Sequence, residues 1–185
     1  MPILGKETDL YPADLLDQEH SGAGDWWVMY TMARREKDLM RRLEKARIGF
    51  YAPVIARQYR SPAGRLRTSY NLLFANYVFV FGTADDRQTA LSTNCISRTL
   101  DVPEPQQLVH DLRQIRQVIS AGVDLTPEGQ LSPGDPVRVR SGPMAGVVGT
   151  IVERRGQKRL LIAVDFMQQG ASTEVRDLDV EPYTP

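Results

Sequence analysis

The segment Asn76-Tyr77-Val78-Phe79-Val80-Phe81 restricts the fold more than any other stretch of the chain. A strand with one wet face alternates polar and apolar residues. This one is almost wholly apolar or aromatic, so it is expected at the middle of a sheet covered on at least part of both faces. Trp26-Trp27-Val28-Met29-Tyr30-Thr31 has the same aromatic and β-branched character and predicts a second buried strand.

Helical spacing appears between and after these strands. Over residues 34–47, Leu39, Met40, Leu43 and Ala46 share one side of a helical wheel, and Arg34, Arg35, Arg41, Arg42 and Lys45 share the other. Gly49 ends that helix. Residues 50–59 read as a strand in which Pro53 marks an edge or a bend. Arg60-Ser61-Pro62-Ala63-Gly64-Arg65 is a turn, which predicts a basic hairpin. A short helix over 85–91 and a strand over 96–102 follow. Pro105 opens a second long helix at the position where a missing N–H costs nothing, with Leu108, Leu112, Ile115 and Ile119 at helical spacing and Gly122 as its stop.

Residues 1–24 mix Gly, Pro and acids and read as a flexible leader, with Ser21-Gly22-Ala23-Gly24 as a joint. Residues 122–132 lack any period and read as a linker. Beyond it, five short strands are expected at 136–140, 147–154, 160–165, 173–175 and 178–181. Five short strands in so few residues suggest a small closed barrel, since closure removes exposed edges. The fold class is therefore α+β: an antiparallel sheet with flanking helices (25–121), a linker (122–132) and a five-stranded β-barrel (133–185).

Charge is neutral overall, with 23 basic and 23 acidic residues, but it is unevenly placed. Residues 1–25 carry a net −5 and residues 34–67 a net +8, with eleven basic side chains against three acids. Such a segment suits a polyanion or an acidic protein face; a solvated Arg-rich helix and hairpin is the competing reading. Enzyme chemistry finds no support. His20 lies in the leader and His110 on the polar side of a helix; with the lone Cys95 they make no metal set. His110 and Asp111 are neighbours in sequence and so do not face each other on a helix. No nucleophile elbow or phosphate loop is present. No catalytic residue, metal or cofactor is expected. Cys95 alone, the acidic leader without an export layout and the lack of any apolar run of about 18 residues point to a cytoplasmic protein.

Residues 133–150 read Pro-Gly-Asp-Pro-Val-Arg-Val-Arg-Ser-Gly-Pro-Met-Ala-Gly-Val-Val-Gly-Thr. A turn precedes a strand that points Val137 and Val139 to one face and Arg138 and Arg140 to the other. Gly146 and Gly149 suit positive φ or close backbone approach at a tight corner. A phosphate cradle would need a helix after the glycines, whereas Thr150-Ile151-Val152-Glu153 is strand-like.

This pattern resembles the KOW motif. Together with the Trp26–Tyr30 opening, the Arg-rich helix and Leu73-Phe74-Ala75-Asn76-Tyr77-Val78-Phe79-Val80, it resembles the NusG family of transcription elongation and antitermination factors over about residues 26–182. Asn76, where the family usually has Gly, is closer to the specialised RfaH paralogs. Ala75 stands where the family has Pro, which implies a looser turn.

The resemblance implies a non-enzymatic, monomeric factor that binds RNA polymerase. Its apolar pocket would be built from Tyr30, Leu73, Phe74 and Tyr77; the competing reading is that these side chains fill the domain's own core. Arg34, Arg35, Arg41 and Arg42 are then candidates for DNA phosphate contacts. Thr93, Asn94, Cys95 and Arg98 occupy the region that sequence-specific paralogs use, and Asn94 could reach a base edge. The hairpin arginines Arg57, Arg60, Arg65 and Arg67 match a loop that bridges the polymerase cleft, which suppresses pausing. Met144 and Phe166 match exposed positions on the barrel that recruit a second partner, a termination helicase or a ribosomal protein. The barrel is Val-, Ile- and Gly-rich and is expected to stay β rather than refold to helix. The alternative is a ribosome-associated or RNA-binding KOW protein using Arg138, Arg140, Arg154, Arg155, Lys158 and Arg159.

Overall fold

A computed structural model describes residues 5–18, 24–175 and 179–184. Chain contacts divide it into two units, Met1–Pro105 and Gln106–Pro185.

The first unit is built on one antiparallel sheet. Its elements run β1 (Leu10–Tyr11), β2 (Asp25–Thr31), α1 (Glu36–Lys45), β3 (Gly49–Tyr51), β4 (Val54–Arg60), β5 (Leu66–Leu72), β6 (Tyr77–Gly82), α2 (Ala84–Leu91) and β7 (Ile96–Asp101). The sheet order is β1-β3-β6-β2-β7, so the apolar run at 76–81 is the central strand. Alternation along β6 divides its side chains between two faces. Val78 and Val80 join Trp27, Met29, Leu39, Met40, Leu43, Phe50 and Cys95 in one core beneath α1. Phe79 and Phe81 point the other way, where Phe79 meets Phe74 edge-on at 6.5 Å and Phe81 meets Trp26 at 5.5 Å. The expected strand over 50–59 is two strands, β3 and β4, because Pro53 interrupts the ladder. Among the described residues, strands β4 and β5 pair only with each other, from Val54↔Leu72 to Arg60↔Leu66, and form the expected basic hairpin.

The leader departs from expectation. Its joint at 21–23 lies outside the described residues, but residues 5–18 are built into the unit. Leu10↔Tyr51 and Tyr11↔Phe50 add β1 to the sheet edge, the Ala52 N–H donates to the Asp9 carbonyl at 2.8 Å, and Leu15 and Leu16 are buried. The acids that read as a solvated tail are spaced around an apolar set, Leu10, Tyr11, Leu15 and Leu16, that outweighs them.

The second unit contains α3 (Pro105–Ser120, from Gln106 onward), β8 (Thr126–Glu128), β9 (Asp135–Val139), β10 (Val148–Arg154), β11 (Gln157–Val164), a 3₁₀ turn at Asp165–Met167, β12 (Gln169–Glu174) and β13 (Val180–Pro182). Its strands order as β13-β9-β10-β11-β12-β8, all antiparallel. Part of the expected linker is therefore strand: Thr126–Glu128 pairs with β12. The two glycines at the turn act differently. Gly146 has φ +87 in open space, whereas a Cβ on Gly149 would stand 2.6 Å from the Leu161 carbonyl oxygen of the neighbouring strand.

Spacing along the sequence puts a boundary after α3, while the contacts group the helix with the strands that follow it. Polar bonds run from the helix to those strands and the turns between them. Gln114 Oε1 accepts from the Val148 N–H at 2.6 Å, Gln117 Nε2 donates to the Pro143 and Ala145 carbonyls at 3.2 and 3.0 Å, and Asp111 Oδ2 accepts from the Asp165 N–H at 3.1 Å. Glutamines on a helix look like solvated surface in a sequence, and nothing there announces backbone partners.

Asp111 is buried, and burial pushes its carboxyl up to about 6, against the opposing pull of the Asp165 N–H bond. A carboxyl that titrates higher folded than unfolded costs stability wherever it is ionised. The contribution of Asp111 to stability should therefore fall as pH rises from about 3.8 to about 6. Asp111→Asn keeps an acceptor for the Asp165 N–H and removes the charge. It should flatten that slope, worth on the order of 3 kcal/mol, in urea unfolding measured across this pH window.

Candidate functional site

Strand register across the first sheet brings three of the expected residues into one row. Tyr30 on β2 faces Tyr77 on β6 and Arg98 on β7. The Tyr30 and Tyr77 rings meet edge-on with centroids 5.1 Å apart, and the Arg98 guanidinium lies 4.7 Å over the Tyr30 ring. Both tyrosines are half-buried and Arg98 is exposed. A row of this kind has an apolar body, two phenol hydroxyls and a cation, the composition typical of protein-interface anchors.

Leu73 and Phe74 do not join this row as the expected pocket lining. Each is only 2% exposed, so neither lines an open pocket. The turn that carries them is firmly tied, despite Ala75. Asn76 sits at φ +68, a conformation Asn tolerates, its N–H donates to Glu36 Oε1 at 3.0 Å, and its carbonyl accepts from the Thr31 N–H at 2.8 Å. With the turn so fixed, Phe74 is directed inward onto Phe79, and the core-filling reading holds for this pair.

The arginines of α1 are exposed but not equivalent. Arg35 and Arg42 both reach Asp38, at 3.2 and 3.1 Å, and the bond from Arg42 leads the causes that hold the Asp38 carboxyl below its usual range. Arg41 is held by Glu7 of the leader, through Nε and Nη2 at 3.0 and 3.1 Å. Arg34 has φ +63 at the approach to the helix and, among the described residues, no ion-pair partner. Arg34, Lys37 and Arg41 line a cleft of about 450 Å³ with Glu36, Asp38, Asn71, Leu72 and Ala75. Asn94 is exposed at φ +56, but Cys95 beside it is fully buried, its Sγ 3.4 Å from Asp38 Oδ2.

On the hairpin, Arg57, Arg60 and Arg65 are exposed and Arg67 is half-exposed. Register places Tyr59 opposite Arg67 and Arg57 opposite Ser69, so these four share one face. Tyr59 and Leu66 are 49% and 62% exposed. These two apolar side chains were not among the expected contacts, although their place at a turn between arginines could have marked them.

On the second unit Met144 is 2% exposed and Phe166 is half-buried, which corrects the expectation of two open apolar contacts. Gln117 holds the carbonyls on either side of Met144, so that the loop turns its methionine inward. The open apolar surface lies elsewhere. A groove of about 590 Å³ is lined by Pro136, Val137, Ile151, Val180 and Tyr183, among others. Arg138 lies 4.6 Å over the Tyr183 ring. Other cations of this unit are engaged internally: Arg140 lies 3.8 and 3.9 Å from Asp179 and Glu181, Arg154 bonds Glu128 and Ser132, and Arg159 bonds Ser172 and Thr126. Arg155 and Lys158 are exposed.

Phe74→Ala should act as a core truncation, lowering stability by about 3–5 kcal/mol. Tyr30→Ala, at a half-buried position, should cost less. Denaturant unfolding of the two variants would show equal losses if Phe74 were instead a surface contact.

A family model described as transcription termination factor NusG matches residues 24–121. No curated protein sequence matches the chain significantly. Among solved structures, NusG from Thermotoga maritima, described for its domain interaction, is 17% identical with a TM-score of 0.45, covering 87% of this chain and 98% of that one. A chain of an Spt4:Spt5 complex is 14% identical with a TM-score of 0.27, covering 86% of this chain and 99% of that one. The family match takes in the central strand, both tyrosines, the α1 arginines and the hairpin, and by it this chain belongs to the NusG family of transcription factors.

Proposed function

We propose that this chain is a transcription elongation factor that binds RNA polymerase through its first unit and alters pausing, termination or antitermination, while its second unit, read as a KOW barrel, engages another partner. One observation carries the reading: within the domain that matches the family, Tyr30, Tyr77 and Arg98 form a continuous half-exposed row on the sheet. The row offers apolar ring faces, hydroxyls and one cation to the end of a polymerase helix. Leu73 and Phe74 contribute by fixing the turn beneath Tyr77.

The arginines of α1 then face nucleic acid held by the polymerase. Contacts to phosphate are long-range and salt-sensitive and carry no sequence information. With Arg98 laid over Tyr30, Asn94 in the turn before β7 is the residue left for base contact. The hairpin, unpaired on both flanks and carrying Arg57, Arg60, Arg65 and Arg67, reaches a second polymerase surface. A protein that touches two surfaces whose separation differs between polymerase states favours one state by its differential affinity. Pausing is suppressed if the bridged state is the active one.

For the second unit, Arg154 and Arg159 are bound by Glu128, Ser132, Ser172 and Thr126, and Asp179 and Glu181 beside Arg140 offset its charge, which favours a protein partner over the RNA-binding alternative. The groove beside Tyr183 is the open apolar surface for that partner, and Met144 and Phe166 serve only if the loop that holds them opens.

Tyr30→Ala and Arg98→Ala should each weaken binding of the full chain to purified polymerase about tenfold, with the unfolding midpoint little changed. A hairpin variant with Arg57, Arg60 and Arg67 replaced by Ala should still bind but lose its effect on pause lifetimes in single-round transcription. Undiminished polymerase affinity in the Tyr30 variant, with ribosomes recovered after nuclease treatment, would support the RNA-binding alternative instead.

A further inference from the structure

The leader lies outside the stretch that matches the family, which begins at residue 24, yet it is fastened to the first unit. Strand β1 pairs with β3, Tyr11 stacks on Phe50 at 6.5 Å, and Leu15 and Leu16 are buried. This anchorage fixes the preceding residues beside α1. Thr8 Oγ1 donates to Glu44 Oε1 at 2.9 Å, and Glu7 takes the Nε and Nη2 donors of Arg41. The two oxygens of one carboxylate on the two donors of one guanidinium make the fork-to-fork geometry in which arginine also binds phosphate.

The other acids near α1 are committed elsewhere. Glu36 holds the Asn76 N–H, Asp38 holds Arg35 and Arg42, and Glu44 holds Thr8. Glu7 is thus the acid that masks Arg41, and it comes from outside the helix. The Arg41 side chain remains 57% exposed while Glu7 is 18% exposed, so the guanidinium keeps an open face and the pair contributes only modestly to stability. A second anion can approach the guanidinium without unfolding the leader. Arg34 and Lys37 line the same cleft as Arg41 and would attract it.

We propose that Glu7 is a built-in competitor for nucleic-acid phosphate: it occupies the Arg41 fork and lowers the chain's affinity for a DNA backbone until a phosphate displaces it. The inference rests on the reading that the α1 arginines contact nucleic acid. It makes the leader an affinity-setting segment, with its sheet strand as the anchor and Glu7 as the exchangeable group.

The test is binding of the full-length chain to a labelled single-stranded DNA oligonucleotide, followed by fluorescence anisotropy across a salt series. Glu7→Gln should bind about two- to fivefold tighter at low salt, the range expected for releasing one exposed ion pair. Its dependence of log K on log salt should stay as in the wild type, because Arg41 meets a phosphate in both complexes once Glu7 is displaced, whereas Arg41→Ala should flatten it by about 0.7. Asp14→Asn removes the same charge from the same segment without touching Arg41, and should leave both quantities unchanged. Arg41→Ala should weaken binding, and in that background Glu7→Gln should have no effect. Equal tightening by Asp14→Asn, or a Glu7→Gln effect that survives in Arg41→Ala, would reduce the leader to general repulsion and overturn the proposal. If Arg41→Ala weakens binding but Glu7→Gln changes nothing, the competitor is refuted and the α1 reading stands. If neither substitution has an effect, both fall.

Discussion

Packing on both faces of β6 is the constraint on which the first unit depends. Its valines close the core under α1, and its phenylalanines meet Trp26 and Phe74 on the other side. A strand buried on both faces tolerates no slip in register, because a shift of one residue would exchange the two sets of side chains. The fixed register puts Tyr77 opposite Tyr30, and β2 in turn puts Tyr30 opposite Arg98. The candidate binding row is thus a by-product of core packing, displayed on rigid strands rather than on loops. Sites held this way lose little freedom on binding, which favours affinity at a given contact area.

The turn before β6 extends the same constraint. Glu36 at the start of α1 and Thr31 at the end of β2 both bond Asn76, so that three elements converge on one residue with positive φ. That convergence explains why Ala in place of Pro at position 75 does not loosen the turn. It also explains why Phe74, next to the turn, faces inward. The α1 arginines and the row of aromatics are therefore parts of one framework, since the helix that carries the first also fixes the strand that carries the second.

Much of this was legible in the sequence, and the failures have physical causes. Elements with strong periodicity were readable: the central strand, α1 with its buried Leu39, Met40 and Leu43, the basic hairpin and the start of α3 at Pro105. The Gly146 and Gly149 positions were readable because few residues tolerate their backbone or their crowding. Composition does not reveal the leader's anchorage, because it counts acids and glycines, whereas two leucines and a two-residue strand are enough to fasten a segment to an existing sheet edge. The inward turn of Phe74 and Met144 is not legible because local sequence does not say which side of a turn faces inward; distant partners, Glu36 for one and Gln117 for the other, decide it. The bonds from Gln114 and Gln117 of α3 to the backbone of residues 143–148 are likewise something no pattern of apolar residues encodes.

The central claim is that the Tyr77–Tyr30–Arg98 row is the face the protein presents to polymerase. A photo-reactive amino acid at position 77, irradiated in a reconstituted elongation complex and mapped by mass spectrometry, examines it most directly. The account predicts cross-links concentrated on one helical element of the polymerase, and their loss when unlabelled protein competes. Cross-links confined to the chain itself, under conditions where the same sample still alters pausing, would contradict it.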